Sequence, residues 1–300
     1  MKRPRNKFWL LVAHVKYFLK RSRLNNIPAL SGRSAFFLIL SIIPFIMFVY
    51  AVTVLLGHDP TPEKFVSMFQ VEMDPKVYDL IVYVYNAARQ SSSGFVIITI
   101  IVALWSAGNG LYTITEGVSR VYRLRDTRFW FFKRVFAMGY TVVILLLLSL
   151  AAGVLLLDMM FTELVQQVFD NVFVSLFINI LQYFLFKMLE LMFLLVTLKL
   201  FLRRRIKNKR YRSFRALLPG MLLVTIAWDF LTWGVSIYIR YFAQNSLYGS
   251  LGTAVIIMMW IYFAVYIFLW GIQFNCLYRM RLYDIRLKPK RSRKKKTDNS

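Results

Sequence analysis

Long apolar runs alternate with short basic ones along this chain, and the alternation predicts its elements. A membrane-spanning helix satisfies its backbone internally and needs about 20 apolar residues. Six segments are long enough: Ser34–Gly57, Gly94–Ile114, Val135–Leu157, Val172–Leu202, Ala216–Ile239 and Leu251–Leu277. The first three and the sixth carry no charged residue. The fourth holds Lys187, Glu190 and Lys199, and the fifth holds Asp229. The fourth is overlong, so it is expected to tilt or project beyond the hydrocarbon. The predicted fold class is all-α: a polytopic membrane bundle of six transmembrane helices.

Two stretches outside these spans have helical periodicity. Phe8, Leu11, Val12, Val15, Phe18 and Leu19 recur at helical spacing among Lys7, Lys16 and Lys20. That pattern suits an amphipathic helix on an anionic leaflet, or one packed beneath the bundle. Between the first two spans, Asp74-Pro75 reads as an N-cap and first helical residue. Val77, Leu80, Ile81 and Val84 then form one apolar stripe. Thr61-Pro62-Glu63 opens a shorter helix in the same way. This segment is expected to fold back as a short extracytoplasmic helical cap.

Charge sets the orientation. The chain carries 39 Lys and Arg against 14 Asp and Glu, a formal charge of +25. Of the basic residues, 33 lie in the N-terminal piece, the 115–134 and 203–215 loops and the C-terminal tail; the other three connections hold four. The positive-inside rule places both termini in the cytoplasm. Residues 1–33 are then a basic cytoplasmic segment, 34–277 the transmembrane domain, and 278–300 a basic disordered tail carrying KPKRSRKKK at 288–296. Such a tail is held near anionic headgroups, the expected lipid partner at the cytoplasmic face. Orientation accounts for the charge, so no specific nucleic acid is expected. The first apolar run is too long for a signal-peptide core and reads as a retained anchor. With 58% hydrophobic residues and a single cysteine, Cys276, the chain cannot form an intramolecular disulfide framework.

Polar residues inside the spans are the candidate chemistry. Each intramembrane charge costs about 2.5–3.5 kcal/mol on insertion scales, so it needs a partner. Glu190 follows Lys187 at i+3 on one face, and Asp229 lies at matching depth if the fourth and fifth spans are antiparallel neighbours. A Lys187–Glu190–Asp229 cluster of charge −1 is expected, as a proton-sensitive relay, a substrate contact or a structural ion pair. Lys199 is close enough to the cytoplasmic end to snorkel. In the second span Ser106 and Gly110 form a small-xxx-small pair for close helix packing, and Asn109 either bonds across helices or lines a cavity. Pro44, after Ser41, is expected to kink the first span. Tyr262, Tyr266 and Gln273 share roughly one face of the sixth span, with Asn275 nearby. They read as packing residues or as a cavity wall.

The stretches SGRSAFFLILSIIPFIMF, LWSAGNGLYTITEGVSRVYRLRD, RSFRALLPGMLLVTIAWDF and YGSLGTAVIIMMWIYFAVYIFLWGIQFN resemble the YihY/BrkB virulence-factor family of bacterial inner-membrane proteins. The resemblance covers roughly residues 20–280 and implies six spans with both termini inside a bacterial plasma membrane. It also implies transport as the activity, with a link to envelope lipid export; an older ribonuclease BN label attaches to the same family. Many relatives carry a glutamate where this chain has Gln273. If that carboxylate couples a proton in them, this chain either uses another group, Asp229 or Glu190, or does not couple there.

Three functions compete. A transporter or flippase-like protein for an amphiphilic envelope component leads, on the polar cluster, the kinked span and the basic surfaces. A non-transporting scaffold for envelope assembly is the alternative. A nuclease is disfavoured: its metal would need clustered carboxylates or histidines, whereas His14 and His58 fall on opposite sides and the cytoplasmic acids are scattered. No enzyme activity, cofactor or metal is expected. A homo-oligomer is left open.

Overall fold

The structure, a computed structural model, describes residues 7–55, 61–67, 75–90, 93–124, 129, 131–144, 172–203, 213–242 and 249–287. Among these the ordered elements are all helices: α1 (Lys7–Leu24), α2 (Ile27–Leu40), α3 (Ile42–Leu55), α4 (Pro62–Ser67), α5 (Pro75–Arg89) and α6 (Ser93–Val121). A seventh, α7, is described over 131–144. Then come α8 (Val172–Arg203), α9 (Phe214–Phe242) and α10 (Gly249–Leu287).

By length and composition, three stretches among the described residues could cross a membrane: Ile27–Met47, Phe214–Tyr238 and Val255–Tyr278. They overlap the first, fifth and sixth expected spans. Most of the third expected span, 145–157, lies outside the described residues, as do the Asp74 cap, His58, the 158–171 loop and the 288–296 basic run.

Local chemistry decides where the helices begin and end. α1 turns into α2 at Asn26, whose φ of 55° is left-handed, a conformation Asn tolerates better than most residues. At the end of α6, Arg123 is also left-handed; Leu124 N–H donates to the Ser119 carbonyl and Arg123 N–H to that of Arg120. That pair of bonds is the Schellman arrangement, here without glycine.

The expected kink in the first span is a break between α2 and α3 at Ser41, three residues before Pro44. Pro44 has no N–H, and its ring crowds the carbonyl four residues earlier, that of Leu40. Ser41 fills the gap: its N–H is shared between the Phe37 and Leu38 carbonyls, and its Oγ donates to Leu38 O at 2.6 Å.

α5 begins at Pro75, as the sequence predicts, and lies against α3. Ile81, Val84, Tyr85 and Ala88 bury against Ile46, Met47 and Tyr50, and the Tyr50 and Tyr85 rings meet edge to face at 4.9 Å. The main core joins α2, α6, α8, α9 and α10 through residues such as Ile27, Val118, Leu198, Met221 and Leu269.

Two helices run past the expected ends of their spans. The helix containing the second span continues to Val121, because its Thr-Ile-Thr-Glu end stays packed on α2 and α10. Residues 278–287, expected to be disordered, continue α10, which reaches Leu287 without an internal Gly or Pro beyond Gly271. The outward surface of the helices is aromatic and aliphatic. Ile97, Ile101, Phe177, Phe184, Phe230, Trp233 and Val255 are all exposed there, a composition suited to lipid rather than water.

Candidate functional site

α8 and α9 are neighbours, and each carries its charge near mid-length. Lys187 Nζ donates to Glu190 Oε2 at 2.8 Å and to Asp229 Oδ1. The expected cluster therefore exists, with one ammonium between two carboxylates. It is not sealed: the Lys187 and Glu190 side chains are 19% and 13% exposed, but that of Asp229 is 41% exposed. Around it are exposed apolar side chains, Ile226, Phe230 and Trp233 on α9 and Tyr183 and Phe186 on α8. The ammonium lies 5.3 Å from the Phe186 ring centre and 5.8 Å from that of Tyr183. Lys199 instead sits 3.7 Å over the Phe214 ring, at the end of the helix pair.

A second polar region lies where α2, α6 and α7 meet, around a cleft of about 510 Å³. Arg33 extends from α2 and donates through Nε to Thr113 Oγ1 at 3.0 Å and through Nη2 to Glu116 Oε2 at 2.9 Å. Arg120 holds the other carboxylate oxygen, Oε1, at 2.7 and 3.2 Å. From α7, Arg134 enters the cleft wall with its guanidinium 4.8 Å over the Trp105 ring.

Here the small-residue face of α6 divides its work. Ser106 Oγ donates to Phe37 O at 3.0 Å and Ser34 Oγ to Gly110 O at 3.2 Å, so both positions pack against α2. A Cβ on Gly110 would stand 2.9 Å from Leu38 Cγ. Asn109 lines the cleft. It is 7% exposed.

The polar residues of α10 serve packing. Gln273, 1% exposed, accepts from Asn25 Nδ2 at 3.0 Å and donates to Phe18 O at 3.0 Å, tying down the end of α1. Trp270 adds a bond to Ser22 Oγ at 2.9 Å. Tyr262 and Tyr266 stack on one another at 5.9 Å, and Tyr266 leans on Trp270 at 4.8 Å. Asn275 bridges to α9 beside Pro219, accepting from Gly220 N–H and donating to Leu217 O, both at 2.7 Å. Pro44 stands at the α2–α3 break described above.

Sequence reasoning overlooked Arg33, Glu116 and Arg134, because they fall at or beyond the ends of apolar runs, where charge is ordinary. It also overlooked the crossing of α9 and α10, where a Cβ on Gly220 would lie 2.2 Å from the Gly271 carbonyl oxygen. The glycine at each position was visible, but which helix faced it was not.

A bundle of long apolar helices with an aromatic and aliphatic exterior and a few enclosed polar groups is a helical membrane protein. The family model described as virulence factor BrkB matches residues 18–296, and the chain belongs to that family. It is 24% identical over 273 residues to the ribonuclease-like protein YfkH of Bacillus subtilis, covering 90% of this chain and 96% of that one. It is 26% identical over 278 residues to a UPF0761 membrane protein of Tolumonas auensis, covering 86% and 83%. A UPF0761 membrane protein of Alteromonas mediterranea is 24% identical over 271 residues, covering 86% and 85%. No solved structure matches the chain.

Proposed function

We propose that this protein crosses a bacterial plasma membrane six times with both termini in the cytoplasm, and that it moves an amphiphilic, anionic envelope component between leaflets. The Lys187–Glu190–Asp229 cluster carries this reading. Its Asp229 side is open, beside exposed apolar side chains at mid-helix. An amphiphile could pass there with its headgroup at the cluster and its chains among Ile226, Phe230 and Trp233.

Lys187 is engaged by both carboxylates. A headgroup reaching the cluster would compete with Asp229 for the ammonium, and charge near hydrocarbon is expensive enough that such an exchange of partners is favoured over leaving Lys187 unpaired.

The ribonuclease-like name of the Bacillus relative belongs to that protein. Among the described residues no three His, Cys, Asp or Glu side chains group as metal ligands. Reconstitution tests the transport reading. Wild-type protein in liposomes should accelerate translocation of a fluorescent phosphatidylglycerol analogue or extracted envelope lipid over protein-free liposomes. Rates equal to protein-free liposomes for every lipid tried would favour the scaffold.

A further inference from the structure

We propose that α1 is an interfacial helix that docks on the anionic lipid surface beside the bundle, through Val12, Val15 and Leu19 together with Lys16, Lys20 and Arg23. Such docking requires no translocation, so it stands apart from the transport reading.

The structure divides α1 into an anchored end and an uncovered one. At the anchored end Phe18 meets the Trp270 ring edge to face at 5.3 Å, and its carbonyl accepts from Gln273 Nε2 at 3.0 Å. Ser22 Oγ accepts from Trp270 Nε1 at 2.9 Å, and Asn25, in the turn that follows, donates to Gln273. Toward the N-terminus, residues 12–17 are all exposed. Val12, Val15 and Leu19 are 40%, 58% and 42% exposed. One end of the helix thus packs on the bundle, while its apolar stripe is left uncovered.

Three bands run round this helix. Phe18 and Ser22 face the bundle. Val12, Val15 and Leu19 come next, within about 60° of one another at 3.6 residues per turn. Lys16, Lys20 and Arg23, all exposed, occupy about the following 60°. Tyr17 lies opposite the apolar band. A helix lying flat beside a bundle at the membrane surface has hydrocarbon beneath it and headgroups at its outer edge. The apolar and basic bands take those two positions, and the lysine stems can snorkel between them.

Location and charge name the occupant. Only Asn25 and Asn26 separate α1 from α2, which opens the candidate span Ile27–Met47. The other tether, Trp270 and Gln273, lies near the end of the candidate span Val255–Tyr278. α1 therefore leaves the bundle where two spans end, which holds it at high effective concentration beside the lipid headgroups. It carries five Lys and Arg and no Asp or Glu. That charge suits anionic lipid and opposes pairing with the same helix of a second copy.

Full-length protein in nanodiscs, one copy per disc, tests the docking. In a Cys276→Ser background, a polarity-sensitive fluorophore is attached at Val15→Cys, Leu19→Cys or Tyr17→Cys. In phosphatidylglycerol discs the dyes at 15 and 19 should be blue-shifted, and quenched severalfold less by acrylamide than the dye at 17. That protection should fall to the level at 17 in phosphatidylcholine discs. It should fall equally in phosphatidylglycerol discs when Lys16→Gln, Lys20→Gln and Arg23→Gln are combined. The labelled positions are exposed, and Leu19→Cys keeps the test decisive if Val15→Cys does not fold. Equal quenching at 15, 17 and 19 in phosphatidylglycerol overturns the proposal. So does protection that is the same in both lipids, or that survives loss of the three charges.

Discussion

Gly220 and Gly271 bring the backbones of α9 and α10 into direct contact. A Cβ on Gly220 would lie 2.2 Å from the Gly271 carbonyl oxygen, and one on Gly271 would lie 2.2 Å from Val224 Cγ2. The first obstacle is backbone, which cannot rotate aside. Asn275 pins the same crossing through the Gly220 N–H and Leu217 carbonyl. Close approach through small residues is how membrane helices gain packing energy when lipid provides no hydrophobic drive between them.

Gly220→Ala should therefore destabilise the bundle by about 1–3 kcal/mol or more, as overpacking does. Gly234→Ala, on the same helix with nothing within 4 Å of its Cβ, should be neutral or stabilise by up to about 1 kcal/mol through helix propensity. Thermal melting in detergent compares the two. Equal melting points for both variants would contradict this crossing.

Gln273 anchors α1. In Gln273→Ala the Phe18 carbonyl and Asn25 amide lose their partner, at a cost of about 1–3 kcal/mol for groups left unpaired. α1 should loosen before the bundle does. Limited trypsin digestion should then cut faster after Arg21 and Arg23, with the core fragment intact. Unchanged cleavage would place the anchor elsewhere.

Glu116→Gln should change little. The Arg33 and Arg120 side chains are 45% and 42% exposed, and ion pairs of that kind are worth about 0–1 kcal/mol. A melting point within a few degrees of wild type is expected, with the difference shrinking in high salt. A large loss would mean that Glu116 organises the cleft.

The three charges of the α8–α9 cluster should respond asymmetrically. Lys187→Ala leaves Glu190 and Asp229 as two unpaired carboxylates, while Asp229→Asn leaves a neutral Lys187–Glu190 pair. Lys187→Ala should thus melt lower than Asp229→Asn. Similar losses would show that Lys187 does not bridge the two acids.

This cluster was legible in the sequence because its parts were anomalous. Three charges within apolar runs, one pair at i+3 and the other at equal depth, have few places to go. Helices α8 and α9 were legible as long apolar runs separated by the arginine-rich 203–215 loop. Asn109 was visible, but its place in the cleft with Arg33 and Arg134 depended on how α2 and α7 pack on α6. The break at Ser41 was displaced from Pro44 because a proline disturbs the carbonyl one turn before it. Gln273 and Asn275 were read by their shared face on one helix, whereas their partners, Asn25 and Gly220, are far away in sequence.

The rate of headgroup translocation in proteoliposomes, compared for wild type, Lys187→Ala and Asp229→Asn, tests the transport reading most directly. Both variants should be slower than wild type. Three proteins with equal rates would contradict a role for the cluster in transport.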